Sequence, residues 1–424
     1  MVYILLLLLF YFAFPLVIIF MCRRWSFFKK VGSIVLAYAF GLVLGSTGII
    51  PKGSDAYNFA LQGRISIPKP EMELLVANGT LSDGDKYVNS IAASQDMLTS
   101  VIVILAFPLL LFSLNIRKWL RFAREGFISM LLALVSIVII LVSGYFIFRD
   151  IIPDSWKVAG MLVGIYTGGT ANLVSLKVAL NVDPSLFVMT NTYDVIVGAI
   201  TIVFFITAGP RVIRALLPPF RHKEGLSVTD DDNAAEMESF DDFSGMFQKG
   251  RTIPLLIALG IAILFFIISY GISLLLPAIP RSVVVILSIT TLSVAGSLIN
   301  WLNRIEKTFQ LGMYFILVFS LAVASMADLS VIFSIGYLGL FAYVFYAYLG
   351  SLILHLILSR IFRINADDFL ITTTAFVFSP PFVPVVAAAL KNKDIIITGI
   401  TVGILGFVIG NYMGVGLAYL LKSF

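Results

Sequence analysis

The sequence predicts an all-α polytopic membrane protein, and three observations predict it. Hydrophobic residues make up 59% of the 424-residue chain and charged residues only 12%, a balance for which a soluble domain of this length has too little interior. The mean hydropathy is +1.01. Apolar segments recur at about 2–21, 31–50, 97–114, 127–148, 157–180, 185–209, 253–277, 282–302, 308–326, 331–357, 367–390 and 395–421, which makes up to twelve membrane segments.

The first segment, Val2 to Met21, has no basic n-region and no small-residue cleavage site, so it reads as a retained helix and not as a signal peptide. Pro15 would kink it. Arg23, Arg24, Lys29 and Lys30 follow at once, which places that end in the cytoplasm and the amino terminus outside. The net charge of +5 is then loop lysine and arginine, not a nucleic-acid footprint. A single cysteine, Cys22, excludes an internal disulfide, and with only His222 and His355 a histidine-rich metal site is excluded as well. Residues 51–96 are turn-forming and mixed in charge, predicting a small extracytoplasmic excursion with one amphipathic helix. Asn78-Gly79-Thr80 matches a glycosylation sequon, a triplet common by chance.

The fifth segment is where polar chemistry enters the bilayer. Its apolar run is interrupted by Thr167-Gly168-Gly169-Thr170-Ala171-Asn172. Two adjacent glycines weaken a helix, and the hydroxyls and amide bring polar atoms where lipid penalises them. A broken helix fits better. Its exposed backbone ends, beside Thr167, Thr170, Asn172 and Ser175, suit a small polar ligand; the alternative is tight glycine-mediated helix packing with back-bonded serine and threonine.

The two halves of the chain look alike. Sliding the sequence by 210 residues puts Leu180 on Leu390, Ala179 on Ala389 and Gly169 on Ser379. In the second copy, Phe378-SPPFVPVVAAAL-Leu390, the interruption comes from Pro380, Pro381 and Pro384, which remove backbone donors. Matched interruptions in two halves point to a secondary-transporter binding site. The expected organisation is an N-terminal transmembrane repeat over 1–209, a polar linker over 210–252 and a C-terminal transmembrane repeat over 253–424, with five to six helices in each repeat. The linker begins basic (Arg211, Arg214, Arg221, Lys223) and turns acidic (Asp230, Asp231, Asp232, Glu236, Glu238, Asp241, Asp242). If every segment spans, Arg211 and Arg214 fall outside. If the broken segments re-enter and return, or one crossing is uncounted, the linker becomes cytoplasmic and the second repeat inverts.

At these residues the chain resembles the YjcL-like family, known as domain of unknown function 819 and grouped with the cation/proton antiporter and anion transporter superfamily. The similarity is carried by Gly41-LVLGSTGIIP, Phe112-SLNI, TGGTANLVSLKVALNVDPS and SPPFVP. The resemblance implies an inverted-repeat carrier in which two discontinuous helices meet near mid-membrane and a core domain moves against a scaffold. It names no substrate. Better-known sodium/proton antiporters of the superfamily carry acidic residues on the helix after the first broken one. Here that helix offers Asn191-Thr-Tyr-Asp194, without their adjacent Asp-Asp or Asn-Asp pair.

Ionisable groups inside apolar segments cost about 2.5–3.5 kcal/mol each at mid-helix, so each needs a partner or a role. Lys177, eight residues past Gly169, either neutralises an anionic ligand or snorkels from the helix end. Asn191 and Asp194 lie three apart on one helix face and can hold a sodium ion or a proton between them. Asp328 reads as an interfacial cap, His355 as a packed histidine, and Asn300 and Asn411 as further polar candidates. No Walker loop, metalloprotease or serine-hydrolase motif is present. The expectation is a carrier of the inner (plasma) membrane, not an enzyme, without a resident cofactor or metal. A sodium or proton gradient drives it, and it moves a small polar solute such as an organic anion or amino-acid-like compound. Its candidate solute residues are Thr167, Gly168, Gly169, Thr170, Asn172, Ser175, Lys177, Ser379, Pro380 and Pro381. Its partners are the bilayer, the solute and, as a homodimer, a second copy. A channel or an intramembrane enzyme is the alternative.

Overall fold

The computed structural model describes residues 2–61, 64–112, 124–220, 250–327, 338–378, 382–392 and 395–424, with isolated positions between 243 and 248. The described residues form helices and connecting turns, with no strand among them. In chain order the helices are α1 (Val2–Arg24), α2 (Ser26–Val31), α3 (Ser33–Ser46), α4 (Asp55–Leu61), α5 (Lys69–Ala77), α6 (Asp83–Phe112), α7 (Arg124–Phe148), α8 (Ser155–Gly168), α9 (Thr170–Ala179) and α10 (Pro184–Ile206). They continue with α11 (Gly209–Leu216), α12 (Thr252–Leu275), α13 (Arg281–Ser297), α14 (Asn300–Asn303), α15 (Thr308–Ser325), α16 (Leu338–Ile361), α17 (Ala366–Val377), α18 (Val383–Leu390) and α19 (Ile395–Lys422). Eight of these are long and apolar enough to cross a membrane: α1, α6, α7, α10, α12, α15, α16 and α19. The protein is therefore an all-α polytopic membrane protein.

Burial separates helices that meet lipid from helices that meet protein. In α1 only Leu7, Tyr11, Pro15 and Ile18 are buried, a stripe at helical spacing, while Leu5, Leu9 and Leu16 are exposed. A helix apolar all round with one buried stripe faces hydrocarbon on its other sides. The opposite case is α15, whose Ile316 to Ala324 stretch is inaccessible almost throughout.

The chain divides into two compact units. The first comprises residues 1–106, 182–189 and 313–335. Within it α3 packs on α15 through Gly41 and Gly45: a methyl group on Gly41 would lie 2.5 Å from the Leu321 carbonyl oxygen, and one on Gly45 2.4 Å from that of Ser325. This four-residue glycine spacing lets two backbones touch. The Tyr11 hydroxyl and Ser325 Oγ lie 2.6 Å apart, and Gln95 Nε2 donates to Tyr11 at 2.7 Å, so the polar groups of α1, α6 and α15 satisfy one another.

The polar stretch after α3 belongs to this unit and is more built than the sequence predicts. It holds two short helices, α4 and α5, instead of one, and α6 begins at Asp83, well before the apolar segment starts at 97. Tyr57, Ile67, Met72 and Leu81 form a small core. Asp85 caps it by accepting from the Ser54 amide at 2.8 Å and the Ser82 hydroxyl at 2.7 Å. The difference has a physical reason: four scattered apolar residues have no periodicity to betray them, and their core forms only when the helices meet.

The second unit comprises residues 107–181, 190–312 and 336–424. Its centre is α19 lying along α8 and α17. Gly406, Gly410 and Gly414 recur every four residues on the contact face of α19. Methyl groups there would meet the Thr167 carbonyl oxygen at 1.6 Å, Asn172 Nδ2 at 2.1 Å and Leu176 Cδ1 at 2.5 Å.

Candidate functional site

The interruption in the fifth segment falls at Gly169. Helix α8 ends at Gly168, α9 starts at Thr170, and Gly169 between them has φ 69° and ψ −157°, a backbone region that is essentially glycine-only. The Gly169 amide still donates to Ile165 at 2.9 Å and its carbonyl accepts from Leu173 at 3.2 Å. The chain therefore bends sharply without losing either bond.

Around this bend the polar side chains are occupied. Thr167 Oγ1 donates back to Val163 at 2.8 Å, with Gly164 at 3.1 Å. Asn172 Nδ2 donates to the Gly406 carbonyl at 2.9 Å, while its Oδ1 is buried without a partner among the described residues. Ser175 Oγ has Asn411 Oδ1 at 2.5 Å and Asn172 O at 3.0 Å, and Asn411 Nδ2 reaches Thr290 at 3.2 Å. The structure thus combines the broken helix with the close glycine packing and back-bonding that the sequence left as the alternative. Thr170, at the start of α9, is half-buried. Lys177 is 2% exposed and so packed inside protein. A side chain snorkelling to the surface would be exposed.

Asn191 and Asp194 are both buried on α10. Asp194 Oδ1 is buried with no hydrogen-bond partner among the described residues. The Tyr166 hydroxyl, three residues before Gly169, lies 3.5 Å from the Val344 carbonyl oxygen and interacts with the Asp194 carboxyl, and Tyr348 on α16, whose hydroxyl is buried without a hydrogen-bond partner among the described residues, feels the same charge. The tyrosine rings pack edge to face with centroids 5.4 Å apart. Sequence reasoning missed both. The signal was present in Tyr166, a hydroxyl-bearing ring directly beside the Thr167-Gly168-Gly169 interruption.

These rings open onto a cavity of about 20 Å³ lined also by Ser351, His355, Thr373 and Phe376, room for about one water-sized group. His355 Nδ1 lies 3.1 Å from Thr373 Oγ1, and Thr373 itself donates to Phe369 O at 2.9 Å. With that hydroxyl hydrogen committed, Nδ1 carries the imidazole proton. The His355 ring lies tilted against Phe369 with centroids 4.6 Å apart, and its Nε2 lies 3.4 Å from Ser129 Oγ.

The fifth apolar segment of the second half is also interrupted: α17 stops at Val377 and α18 starts at Val383. Ser379, Pro380 and Pro381 lie outside the described residues, as do Asp328 and residues 113–116 of the Phe112-SLNI stretch. The start of α17 carries a second polar cluster. Arg214 Nε and Nη2 donate to the Asp367 carboxylate, both at 3.0 Å, Nη2 also reaches Leu390 O at 2.9 Å, and Asn392 Nδ2 donates to Asp367 at 2.9 Å. Among the described residues no group of three or more His, Cys, Asp or Glu is placed to hold a metal ion.

The family described as "Protein of unknown function (DUF819)" matches residues 77–424. The chain belongs to this family. The match takes in the Gly169 bend, both tyrosines, Asp194 and the second interruption. The chain is also similar to "Uncharacterized membrane protein YjcL" of Bacillus subtilis (strain 168), at 25% identity over 337 residues, covering 78% of this chain and 84% of that protein. Membership in the DUF819 family and eight long apolar helices together make this a multi-pass membrane protein, consistent with a bacterial inner (plasma) membrane location.

Proposed function

We propose that this DUF819 member is a secondary active carrier, sodium- or proton-coupled, that moves a small polar solute by alternating access around its two interrupted segments. The observation that carries the reading is one shared cavity. Tyr166 near the end of α8 and Phe376 and Val377 at the end of α17 line the same space, and Tyr166 in turn interacts with the buried acidic residue Asp194. Interrupted helices meeting beside a buried carboxylate is the arrangement in which carriers bind solute and ion.

Repeat symmetry supports the same reading. A shift of 210 residues carries α7, α8, α9 and α10 onto 334–358, 365–378, 380–389 and 394–416; the helices found there are α16 (Leu338–Ile361), α17 (Ala366–Val377), α18 (Val383–Leu390) and α19 (Ile395–Lys422). In this reading the repeats are inverted and joined by the linker over 210–252. The bend at Gly168, Gly169 and Thr170 with Thr167, Asn172, Ser175 and Lys177, and Ser379, Pro380 and Pro381 opposite, form the solute path. Asn191 and Asp194 hold the coupling ion. Counterflow in proteoliposomes tests it: preloaded unlabelled solute should drive accumulation of the labelled form, with no conductance step and no chemical product. Single-channel currents would make the protein a channel, and a product formed in detergent would make it an enzyme.

A further inference from the structure

We infer that the two interrupted segments are re-entrant hairpins that reach the candidate site from opposite faces of the membrane, the first from outside the cell and the second from the cytoplasm. This topology stands whether the protein carries, conducts or catalyses. Lys157 Nζ donates to the Asn181 carbonyl at 3.3 Å across 24 residues, a separation of about 36 Å in a continuous helix. A methyl group on Gly160 would lie 2.9 Å from Leu180 Cδ1, and one on Gly164 would meet Leu176 Cδ1, so α9 folds back along α8 from the Gly169 bend. The second segment does the same. Asn392 Nδ2 donates to Asp367 at 2.9 Å across 25 residues, and Arg214 joins Asp367 near the start of α17 to the Leu390 carbonyl at the end of α18. The two closures correspond residue by residue. The 210-residue shift that relates the halves carries Lys157 onto Asp367 and Asn181 onto Lys391, and Asn181 and Lys391 both leave their hairpin with a left-handed φ, 48° and 54°.

The mouths of the hairpins lie at opposite ends of one helix pair. Helix α7 leads into the first hairpin and α16 into the second, and the two run antiparallel. Ser129 Oγ near the start of α7 lies 3.4 Å from His355 Nε2 late in α16, whereas Ser143 Oγ near the end of α7 lies 2.9 Å from the Tyr346 hydroxyl early in α16. Each helix therefore delivers its hairpin to the opposite face, and the tips meet at the cavity lined by Tyr166, Phe376 and Val377. Charge decides which face is which. Around the second mouth Arg211, Arg360, Arg363 and Lys391 are exposed, with Arg360 held to the Leu216 carbonyl at 2.5 Å. The first mouth has Arg149 and Lys157 beside Asp150 and Asp154. With the first segment re-entrant, the crossings of the first half are α1, the shorter apolar α3, α6, α7 and α10. Arg24 after α1, Arg117 after α6 and Arg211 after α10 then share one face; if the segment crossed, Arg211 would fall on the other.

The test places single cysteines in the full-length protein after Cys22→Ser removes its one native cysteine. A membrane-impermeant maleimide is applied to intact cells, and again after permeabilisation. Asp150→Cys and Asn181→Cys mark the two ends of the first hairpin, Arg363→Cys and Lys391→Cys those of the second, and all four positions are exposed. Both ends of the first hairpin should be labelled in intact cells, and both ends of the second only after permeabilisation. Where Asn181→Cys or Lys391→Cys does not melt as a single transition, Ser185→Cys and acylation of native Lys391 by an impermeant amine reagent report the same two ends. Ends of one segment labelled from opposite faces would make it a crossing helix, and all four labelled from one face would put both hairpins on one side. The reverse pattern would exchange the faces. An end that stays unlabelled after permeabilisation would lie inside the bilayer, where no hairpin mouth can be. Any of these results overturns the assignment.

Discussion

Asn172 and Gly406 are joined by a hydrogen bond of 2.9 Å from the asparagine amide to the glycine carbonyl, and the same glycine has no room for a side chain, because a methyl there would lie 1.6 Å from the Thr167 carbonyl oxygen. One residue on α19 thus fixes both sides of the Gly169 bend. The obstructing atom is backbone, which cannot rotate away as a side chain can. Gly406→Ala should therefore displace α19 from α8 and lower stability by about 1–3 kcal/mol. Thermal melting of the purified variant checks this; a wild-type Tm would mean that the helices separate freely here.

Gly169 fails to tolerate substitution for a different reason. Its φ of 69° with ψ −157° costs any L-residue on the order of 1–3 kcal/mol. Gly169→Ala should lower Tm, and Gly169→Leu should not survive as a monodisperse species. Loss of solute binding in the leucine variant would then say nothing about open amides. Folded, monodisperse Gly169→Leu protein would show that the bend is adaptable.

How far the sequence reached can be judged at these residues. The interruption was legible because adjacent glycines and clustered hydroxyls contradict a lipid-facing helix. Its location at one residue, Gly169, was not, since either of two adjacent glycines could take the positive φ that the structure gives to Gly169. Gly406, Gly410 and Gly414 carry the packing, yet in the sequence they read as ordinary small residues of an apolar helix. Asp194 stood out as an ionisable group in a long apolar run. Tyr166 and Tyr348 did not, because tyrosine is unremarkable in such segments and only the fold brings the two rings together near one carboxylate. The same holds for Arg214 and Asp367, far apart in sequence and joined only when α11 meets the start of α17.

The Arg214–Asp367 contact predicts a coupled pair. Asp367 is 1% exposed, so removing its cation leaves a buried carboxylate whose remaining side-chain partner among the described residues is Asn392. Arg214 is about half exposed, which lets water screen the pair and reduces its worth below that of a fully buried one. Arg214→Met should cost about 1–3 kcal/mol, and adding Asp367→Asn should recover part of the loss. Additive losses in the double variant would show that the two side chains act independently.

A pH effect is expected in the polar stretch outside the membrane helices. Arg64 holds Glu71 in a two-pronged ion pair, each contact 2.7 Å, and this hydrogen-bonded guanidinium holds the Glu71 carboxyl below the usual glutamate range. A depressed carboxyl contributes stability above its unfolded value and loses it as pH falls through the folded one. Wild type should therefore protect the amides of 64–77 from hydrogen exchange better than Glu71→Gln near neutrality, with the difference vanishing in acid. Comparing the two proteins at each pH cancels intrinsic exchange rates. A difference that persists or grows in acid would assign the protection to packing around Met72 instead.

Asp194 is the residue on which the proposed mechanism turns, because it is buried on a helix otherwise reading Leu186-FVMTNTYDVIVGAITIVFF and one of its oxygens lacks a partner among the described residues. Asparagine at this position keeps the shape and one oxygen while removing the charge. If the carboxylate binds sodium as the coupling ion, Asp194→Asn should abolish the sodium dependence of uptake and keep the fold. If it carries a proton, the same change should flatten the pH dependence of uptake and leave sodium without effect in either protein. If it is instead a structural ion pair with Lys177, Asp194→Asn should lower Tm by about 3–5 kcal/mol worth of stability, the cost of an uncompensated buried charge, and Asp194→Asn with Lys177→Met should restore it. Uptake into liposomes across sodium and pH gradients, with melting curves for the single and double variants, separates the three outcomes. Wild-type coupling in folded Asp194→Asn would move the ion site away from α10 altogether, and the Tyr166 hydroxyl beside it would then be part of the packing at the Gly169 bend.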